Sequence, residues 1–383
     1  MPNPLHLSRK NRTGRITIPY NPALFPPRFT LAAFLLSVCL LPLLVMPAGA
    51  QTGQEDLEHL AEINKLDEVD KAIDKGLRYL LSRQDATEGF FAGKLKNTYT
   101  GLGCIALMAA GHFPERSEFG EGLRRGINYL VEKSGEHNGY FGKEGKARMY
   151  GHAICTLALT EAYGMMPTKE ENLAVKKAAQ KAIDVILHSQ VDNEEKKKHY
   201  GGWRYEPRKK DADLSVTVWQ VLALRSAENC QMEVPAHSIS NAVTYVRRVY
   251  SKKHGGYSYQ PGKEPSIAMR CAGVVCMRAL GKGKDDKDWK EISKFADFLM
   301  DLDPSRHRRH YFYQSYYVAT AANMMGKEHR QKILPRLEKH LVGLQKDDGS
   351  FKNYHGYDGD CYSTAFSVIC LSVRFQFLPI YQE

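Results

Sequence analysis

The sequence lacks most of the short signatures that reveal a function. It has no Cys-x-x-Cys motif, no phosphate-binding glycine loop and no dinucleotide-binding fingerprint. It also lacks stretches that alternate apolar and polar residues with the period of a β-strand. These absences argue against a nucleotide or redox enzyme, and we expect no cofactor. They leave the α-helix as the main structural element.

Cysteine is present but arranged for packing. Of the eight cysteines, Cys39 lies in an N-terminal apolar run and seven lie further along the chain. Most of the seven are inside apolar helical stretches, where a free cysteine behaves as a small hydrophobe. An odd number also argues against a complete disulfide framework.

The N-terminus has the pattern of an export signal. Residues 1–28 contain five basic residues and no acidic ones, and an apolar run from Phe29 to Met46 ends at Ala48-Gly49-Ala50. This order predicts a signal peptide over residues 1–50, cleaved before Gln51. The alternative is an uncleaved membrane anchor, although the run is short and contains Pro42. We expect a periplasmic or secreted protein, anchored to the membrane only if this segment is retained.

Removing residues 1–50 lowers the charge. The formal charge of +11 becomes +6, because 49 basic and 43 acidic residues remain. This modest excess does not indicate binding to nucleic acid. The sequence does not identify a protein partner.

A sequence motif repeats along the rest of the chain. A helix-like segment is followed by glutamine, a short loop and Gly-x-aromatic, as in Gln84 with Gly89-Phe90-Phe91. Related motifs end at Phe141, Trp203, Tyr257 and Phe351, and some of them lack the glutamine. A period of roughly 50 residues is typical of stacked helical hairpins. The glutamine, glycine and aromatic residue have structural roles in this interpretation.

Six hairpins can be assigned from this repeat. In each, an amphipathic helix precedes a helix that is apolar or small on every side, which predicts an outer and an inner ring. Gly111, Gly164, Gly281 and Gly326 stand where inner helices should end. We expect an all-α fold, an α/α toroid (an α6/α6 barrel) over residues 70–375. A polar lead-in covers residues 51–69 and a C-terminal tail residues 376–383.

The repeats resemble those of the terpenoid cyclase and protein prenyltransferase superfamily over about residues 70–375. Met149-Tyr150-Gly151-His152-Ala153 and Gly201-Gly202-Trp203-Arg204-Tyr205 also look like secreted bacterial prenyltransferase/squalene-oxidase-repeat proteins. The resemblance implies the toroid fold. It does not imply an activity, because sites rather than folds carry function.

The segment Asp211-Ala212-Asp213-Leu214-Ser215 resembles the Asp-x-Asp-Asp-Thr motif of squalene–hopene cyclases, whose middle aspartate protonates an alkene. Asp211 and Asp213 match, whereas Leu214 replaces the third aspartate. Asp213 and Asp211 are therefore the candidate catalytic residues. Two other roles stay open for Asp213, which could cap a helix N-terminus or face a ligand, and we favour the cap.

Zinc-dependent prenyl transfer is not expected. The protein prenyltransferases resemble the same stretch through an Asp-x-Cys pair, but Ser215 replaces the cysteine here, and Ser363 replaces their histidine ligand. One remaining ligand of three cannot hold zinc. We expect no metal site.

Polar and aromatic residues concentrate at the predicted N-termini of the inner helices. The candidate ligand-binding residues are Tyr150, His152, Tyr205, Ser215, Tyr316, Asp360 and Tyr362. Lysines and arginines in the preceding loops, including the runs 208–210 and 306–309, predict a basic rim. Such a rim favours a small amphiphilic or anionic ligand, although exposed loops are often simply charged.

Three functions remain. We favour a toroid that binds an amphiphilic or anionic ligand in its central funnel without catalysis. The first alternative is an isoprenoid cyclase of the class II terpene-cyclase type with Asp213 as acid. The second is a glycan-active enzyme, which could use Asp211 with Asp213 or Asp358 with Asp360 as paired carboxylates.

The missing zinc ligands give a direct test. We expect the purified protein to contain no stoichiometric zinc, because hydroxyl groups stand at the positions where a thiolate and an imidazole would be required. Elemental analysis after mild chelation measures this. About one retained zinc per chain would contradict the expectation.

Overall fold

The computed structural model describes residues 67–193, 195, 197–305, 310–352 and 359–382. The predicted signal segment, residues 51–66 of the lead-in, Arg306–Arg309 and Asp358 lie outside these residues. Within them, twelve α-helices follow one another. They are α1 Glu68–Ser82, α2 Lys96–Ala109, α3 Gly120–Lys133, α4 Arg148–Ala162, α5 Lys169–Ser189, α6 Leu214–Asn229, α7 Ala236–Arg248, α8 Ile267–Ala279, α9 Trp289–Leu299, α10 Tyr311–Met324, α11 Lys327–Val342 and α12 Gly359–Ser372.

The helices form two concentric rings. Each even-numbered helix packs against the next even-numbered one, and α12 packs against α2, which closes the inner ring. The odd-numbered helices pack around the outside. A two-residue antiparallel pair, β1 Tyr250–Ser251 with β2 Gly256–Tyr257, lies in the loop before α8. The predicted all-α toroid of six hairpins is confirmed.

The two rings follow from the residues that each helix exposes. In α1, Ile73, Leu77 and Leu80 recur at helical spacing and are buried, while charged residues occupy the opposite side. In α2, every residue after Lys96 is buried, because the helix has protein on all sides. The hydrophobic effect therefore places α1 outside and α2 inside.

The repeated glutamine joins neighbouring hairpins. Gln190 Nε2 donates to the carbonyl of Gly201 in its own loop and to that of Ser238 in the next outer helix, each at 2.9 Å. Gln84 makes the same two bonds to Gly89 and Gly122. Gln345 donates to Gly349 at 3.0 Å and to Ala72 of α1 at 2.8 Å. This last bond links the sixth hairpin to the first and closes the outer ring.

The glycine and the aromatic residue of the repeat have the expected structural roles. Gly201 has a φ of +88°, and a Cβ there would lie 2.0 Å from the Asn241 carbonyl oxygen. Glycine is therefore required on both conformational and steric grounds. Two residues later, the Trp203 side chain is fully buried, and its indole donates to the Ile186 carbonyl at 2.7 Å.

The glycines predicted to end the inner helices do so. Gly111, Gly164, Gly281 and Gly326 all have φ between +78° and +98°, which glycine adopts most readily after a helix. Gly326 has an extended ψ of −177° and is also the N-cap of α11.

The C-terminal residues are part of the packed body. A 3-10 helix, Pro379–Tyr381, buries Leu378, Ile380 and Tyr381, whose exposed fractions are 2%, 3% and 1%. It contacts α6 and α10. The segment expected to be a tail therefore completes the core. In the part of the chain that the structure describes, no helix is both long and apolar enough to cross a bilayer.

The glutamine that closes the ring provides a stability test. Gln345→Ala leaves two backbone carbonyls without their side-chain donor, so we expect the free energy of unfolding to fall by about 1–3 kcal/mol. Chemical denaturation measures it. Gln180→Ala is the control, because Gln180 bonds to exposed Asp184 and, at 3.4 Å, to the exposed Glu233 amide, and its cost should stay within about 0.5 kcal/mol. Equal losses for the two variants would contradict the assigned role of Gln345.

Candidate functional site

The N-termini of all inner helices lie at one end of the ring, because each follows an outer helix that runs the opposite way. A cluster of polar and aromatic side chains occupies this end, and we call it the mouth. It consists of Tyr150, Arg204, Tyr205, Asp213, Ser215 and Tyr259.

Asp213 is the N-cap of α6 and is fully buried. Its Oδ1 accepts hydrogen bonds from the Val216 amide at 3.0 Å and from Ser215 Oγ at 2.5 Å. Its Oδ2 accepts from Arg204 Nη1 at 2.6 Å. The predicted cap is therefore present, and it includes a buried ion pair that the sequence did not reveal.

Arg204 connects the two candidate catalytic residues. Its Nε lies 3.0 Å from Asp211 Oδ2, while its Nη1 contacts both Asp213 and the Tyr259 hydroxyl. The guanidinium also lies over the Tyr205 ring, 4.6 Å from the centroid. Two carboxylates and two aromatic rings thus hold one arginine.

Hydroxyl groups extend this network towards the axis. Tyr205 and Tyr259 share a hydrogen bond at 2.9 Å. The Tyr150 hydroxyl, on α4, donates to Ser215 Oγ on α6. Tyr313 lies on α10, which is across the ring from α4, and its hydroxyl donates to the Ser215 carbonyl at 3.5 Å. The structure therefore brings together Tyr150, Tyr205, Asp211, Asp213 and Ser215, as predicted, and adds Arg204.

The surroundings of Asp213 restrict its chemistry. Burial raises the pKa of its carboxyl group, and hydrogen bonds from Ser215, Val216 and Arg204 oppose this. Every one of these partners donates to the carboxylate, and a guanidinium cannot lose its proton in a protein. A proton on Asp213 would therefore face donors, which favours the ionised form.

The axis below the mouth is filled by aromatic rings. Trp219 of α6 stacks on Tyr316 of α10 with ring centroids 5.1 Å apart and an interplanar angle of 9°. Phe366 of α12, across the ring from α6, contacts the same tryptophan at 6.2 Å. Tyr316 is fully buried in this layer, one turn below the mouth, so it packs the core and does not line the predicted ligand site.

His152 also has a structural role. Its Nδ1 accepts from the Phe141 amide at 3.4 Å, and its Nε2 contacts the Ala182 carbonyl at 3.0 Å. Burial lowers the pKa of His152 to about 4, so the ring is neutral at pH 7. In the third and sixth hairpins, Thr217 and Thr364 accept the equivalent amide bond, from Trp203 and Phe351. His152 therefore replaces a repeat threonine and is not exposed to a ligand.

Asp360 and Tyr362 lie on α12, which faces α6 across the ring. Lys346 donates to the Asp360 carboxylate at 2.7 Å, and Tyr362 packs against Phe366 with centroids 4.8 Å apart. Asp360 is thus held in an ion pair away from Asp213. Its proposed partner, Asp358, lies outside the described residues.

The positions compared with zinc ligands hold hydroxyl groups in structural bonds. Ser215 belongs to the Asp213 cap, and Ser363 Oγ donates to the carbonyls of Phe351 and Asp360. Within the described ranges, no cluster of three or more histidine, cysteine or acidic residues is arranged to hold a metal ion.

The rim around the mouth carries charges of both signs. Glu206 pairs with Arg148 and with Lys209, each at 2.9 Å. Arg208, Lys210, Lys252 and Lys253 are exposed. Ion pairs therefore neutralise part of the predicted basic rim in the third hairpin. The exposed basic residues lie in the loops before α6 and α8.

A separate polar cavity of about 220 Å³ lies between the first two hairpins. Its walls include Lys96, Tyr129, Lys133, Tyr140 and Glu144. The Tyr129 hydroxyl donates to Asn97 at 2.8 Å, and Lys133 pairs with Glu136 at 2.9 Å. None of the residues predicted for the site lines this cavity.

With this geometry, the chain can be compared with known proteins. Residues 208–310 and 298–378 match the family model of the prenyltransferase alpha-alpha toroid domain. The matched stretches run from the loop before α6 to just past α12. The resemblance to the terpenoid cyclase and protein prenyltransferase superfamily is thereby confirmed. No curated protein sequence matches the chain.

Solved structures share the toroid fold. Type II terpene cyclase MstE from Scytonema is 14% identical, with 82% of this chain and 100% of that chain covered and a TM-score of 0.52. The α-1,6-mannanase GH76A of Salegentibacter is 8% identical, with 81% and 100% covered and a TM-score of 0.58. Cellobiose 2-epimerase from Bacillus thermoamylovorans is 12% identical, with 80% and 99% covered and a TM-score of 0.57. At these identities the likeness establishes the toroid fold and no activity.

Sequence reasoning missed the role of Arg204. A signal was available, because Arg204 directly follows the buried Trp203 of the repeat, and the loop from there returns to Asp213. The extended backbone pairs Asp213 N with the Trp203 carbonyl at 3.0 Å. An arginine beside that carbonyl is therefore close to the cap.

Asp213 gives the second stability test. Asp213→Asn can keep the bond to the Val216 amide but loses the charge that pairs with Arg204, so we expect a cost of about 1.5–3 kcal/mol. Asp213→Ala also removes the cap and should cost about 1 kcal/mol more. Denaturant unfolding of the three proteins measures the series.

Asp67→Asn is the matched control, because Asp67 caps α1 and pairs with Arg374 at 2.8 Å while remaining exposed. Its cost should stay below about 1 kcal/mol. If Asp213→Asn is no more costly than Asp67→Asn, the buried ion pair is not important for stability.

Proposed function

We propose that this toroid is a binding protein whose mouth holds a small amphiphilic ligand without acid catalysis. The observation that carries the proposal is the Asp213 carboxylate, in which both oxygens accept hydrogen bonds and one of them pairs with Arg204 at 2.6 Å. A carboxyl group that protonates an alkene must hold a proton directed at the substrate. Asp213 is held instead as an anion that caps α6.

The packed axis supports the same proposal and limits the depth of the site. The Trp219–Tyr316 stack crosses the ring directly below the mouth, and Phe366 contacts both rings. A long hydrocarbon chain has no room along the axis in this conformation. The proposed ligand therefore sits at the mouth, in a site shallower than the central funnel expected from the sequence.

The chemistry of the mouth indicates which ligand it suits. Tyr150, Tyr205 and Tyr259 are half-buried and offer ring faces and hydroxyl groups. Arg204 is already paired with Asp211 and Asp213, so it does not attract a further anion. An anionic head would instead contact exposed rim residues such as Arg208 and Lys210. We propose an amphiphile whose polar head bears hydroxyl or anionic groups.

A second candidate is a glycan-active enzyme. Asp211 and Asp213 both contact the guanidinium of Arg204, and the rings of Tyr205 and Tyr259 lie beside them. Paired carboxylates carry out glycoside hydrolysis when they flank the scissile bond. An inactive variant of the related-fold mannanase, in which two aspartates are replaced, has been solved with α-1,6-mannotriose. This candidate requires Asp211, whose side chain is 43% exposed, to act on a bound sugar.

The cyclase alternative has less support. MstE variants have been solved with geranylgeranyl dihydroxybenzoate as substrate and with merosterolic acid A as product. In this chain the Asp213–Arg204 pair and the filled axis both oppose such a reaction. We propose export of the protein on the basis of the N-terminal sequence pattern alone.

Binding and turnover assays separate these functions. We expect the wild-type protein to bind a short-chain amphiphile such as geranyl diphosphate or geraniol by calorimetry, with no product detected by mass spectrometry. Tyr259→Phe removes a hydroxyl group that contacts Arg204 at 2.5 Å and should weaken binding several-fold. Tyr163→Phe, at the other end of α4, is the control and should bind as the wild type does.

Detection of a reaction product would contradict the proposal and would show which alternative function is correct. Product from a polyprenyl substrate that disappears in Asp213→Asn would establish the cyclase. Hydrolysis of mannotriose that disappears in Asp211→Asn would establish the glycan enzyme. Failure of every amphiphile to bind would leave no support for a site at the mouth.

A further inference from the structure

The end of the ring opposite the mouth is closed by residues 376–382. Asp213 and Ser226 mark the two ends of α6, about 20 Å apart at the rise of an α-helix. Ser226, Glu161 and Asn323 all lie near the C-terminal ends of their inner helices. The 3-10 helix Pro379–Tyr381 packs among them. We call residues 376–382 the plug.

Tyr381 fills the axis at this end. Its side chain is 1% exposed, its ring centroid lies 6.3 Å from that of Tyr316, and the two hydroxyl groups are 3.4 Å apart. The Asn323 amide donates to the Tyr381 carbonyl. Tyr381 therefore continues the aromatic stack of Trp219 and Tyr316 from outside the ring of inner helices.

The plug enters through a strained turn and is anchored mainly by its buried apolar side chains. Gln376 has a φ of +53°, in the region that a side chain disfavours, and its Nε2 donates to Asn323 at 3.0 Å. Phe377, the next residue, is 39% exposed. The plug is one short segment at the end of the chain, so its separation would break the contacts of Leu378, Ile380 and Tyr381 but leave the backbone hydrogen bonds of the inner helices intact.

Glu161 is a buried carboxyl group beneath the plug whose hydrogen bonding is incomplete. It is 7% exposed, and its Oε1 accepts from Ser226 Oγ at 2.6 Å. The backbone of Ile380, within the plug, lies near this carboxyl group and partly opposes the rise of its pKa. Its Oε2 is buried with no hydrogen-bond partner among the described residues. An ionised Glu161 would therefore leave a charged oxygen unsatisfied beneath the plug, which is costly.

We propose that the plug is displaceable and that the space filled by the Tyr381 ring is a binding site for a flat apolar group. When the plug leaves, Trp219 and Tyr316 form the floor of a cavity that suits an aromatic ring. The site faces the end of the ring opposite the mouth. This proposal does not depend on the ligand proposed for the mouth.

The charge on Glu161 sets how firmly the plug is held. Burial raises the pKa of Glu161 to about 7. The titratable groups that face it are Tyr316 of α10, Cys230 after α6 and Tyr381 of the plug, and burial raises the pKa of each. All three are neutral near pH 7, so none supplies a compensating cation. The closed state thus binds a proton more tightly than the open state and is favoured at low pH.

Hydrogen–deuterium exchange of the wild-type protein tests the displacement. We expect the amides of residues 376–382 to exchange through local opening, much faster than the amides of α10. After correction for intrinsic exchange rates, the open fraction should rise about tenfold or more between pH 5 and pH 8. In Glu161→Gln this rise should be absent. In Glu144→Gln, which changes a half-buried carboxyl group at the mouth end, it should remain.

Exchange of these amides only at the rate of global unfolding would overturn the proposal. A pH dependence that persists in Glu161→Gln would overturn the role of Glu161.

Dye binding tests the cavity. Tyr381→Ala should bind one anilinonaphthalene sulfonate per chain, with fluorescence at least about tenfold above that of the wild type at pH 5. Phe377→Ala, on the exposed part of the plug, should resemble the wild type. A folded Tyr381→Ala protein, verified by circular dichroism, that binds no dye would overturn the binding site. If Tyr381→Ala does not fold, dye binding by the wild type at pH 8, absent at pH 5 and in Glu161→Gln, decides the question.

Discussion

The ring depends on one side-chain interaction, the glutamine amide that donates to two backbone carbonyls at once. One carbonyl belongs to the loop that follows the glutamine, and the other to the first turns of the next outer helix. The bond therefore fixes the first hairpin relative to the second, the third relative to the fourth and the sixth relative to the first. Packing of apolar surfaces alone does not fix these positions. At Gln345 the next hairpin is the first one, so the same bond spans almost the whole sequence. A solenoid with open ends thereby becomes a closed ring that shares one core.

Closure of the ring determines what its centre can do. Six inner helices leave an axis that must be filled by side chains, water or a ligand, because an empty apolar channel forfeits packing contacts. Here Trp219, Tyr316 and Phe366 fill the middle, and Tyr381 closes one end. The mouth is left as the polar end, organised by Arg204 and Asp213. A cyclase, a mannanase and an epimerase share this fold, so the fold alone does not determine the function.

The fold was predictable because its signals are local and repeated. The Gln…Gly-x-aromatic motif of Gln84 to Phe91 recurs, one residue shorter, at Gln345 to Phe351, and glycines such as Gly111 mark helix ends by conformation alone. The site was less predictable. Asp213 was expected to cap α6, but its partner Arg204 comes from a loop whose path only the assembled ring defines. Tyr150 and Tyr316 both looked like ligand contacts, yet one lies at the mouth and the other a turn below it in the core. Tyr381 belongs to a short segment without helical periodicity, and its burial depends on a cavity that exists only after all six hairpins have packed.

Helix α4 carries a buried titratable residue near each of its ends, and the two respond to acid in opposite ways. His152 has its pKa lowered from 6.5 to about 4, so folding releases a proton from it, and its contribution to stability is lost as the pH falls through this range. Glu161 has its pKa raised from 4.5 to about 7, so folding takes up a proton, and its contribution is lost as the pH rises. The two ranges overlap, and the proton released at one end of the helix is matched by the proton bound at the other. In mildly acidic solution the two effects on the free energy of unfolding therefore oppose each other, so this helix makes folding stability less dependent on pH.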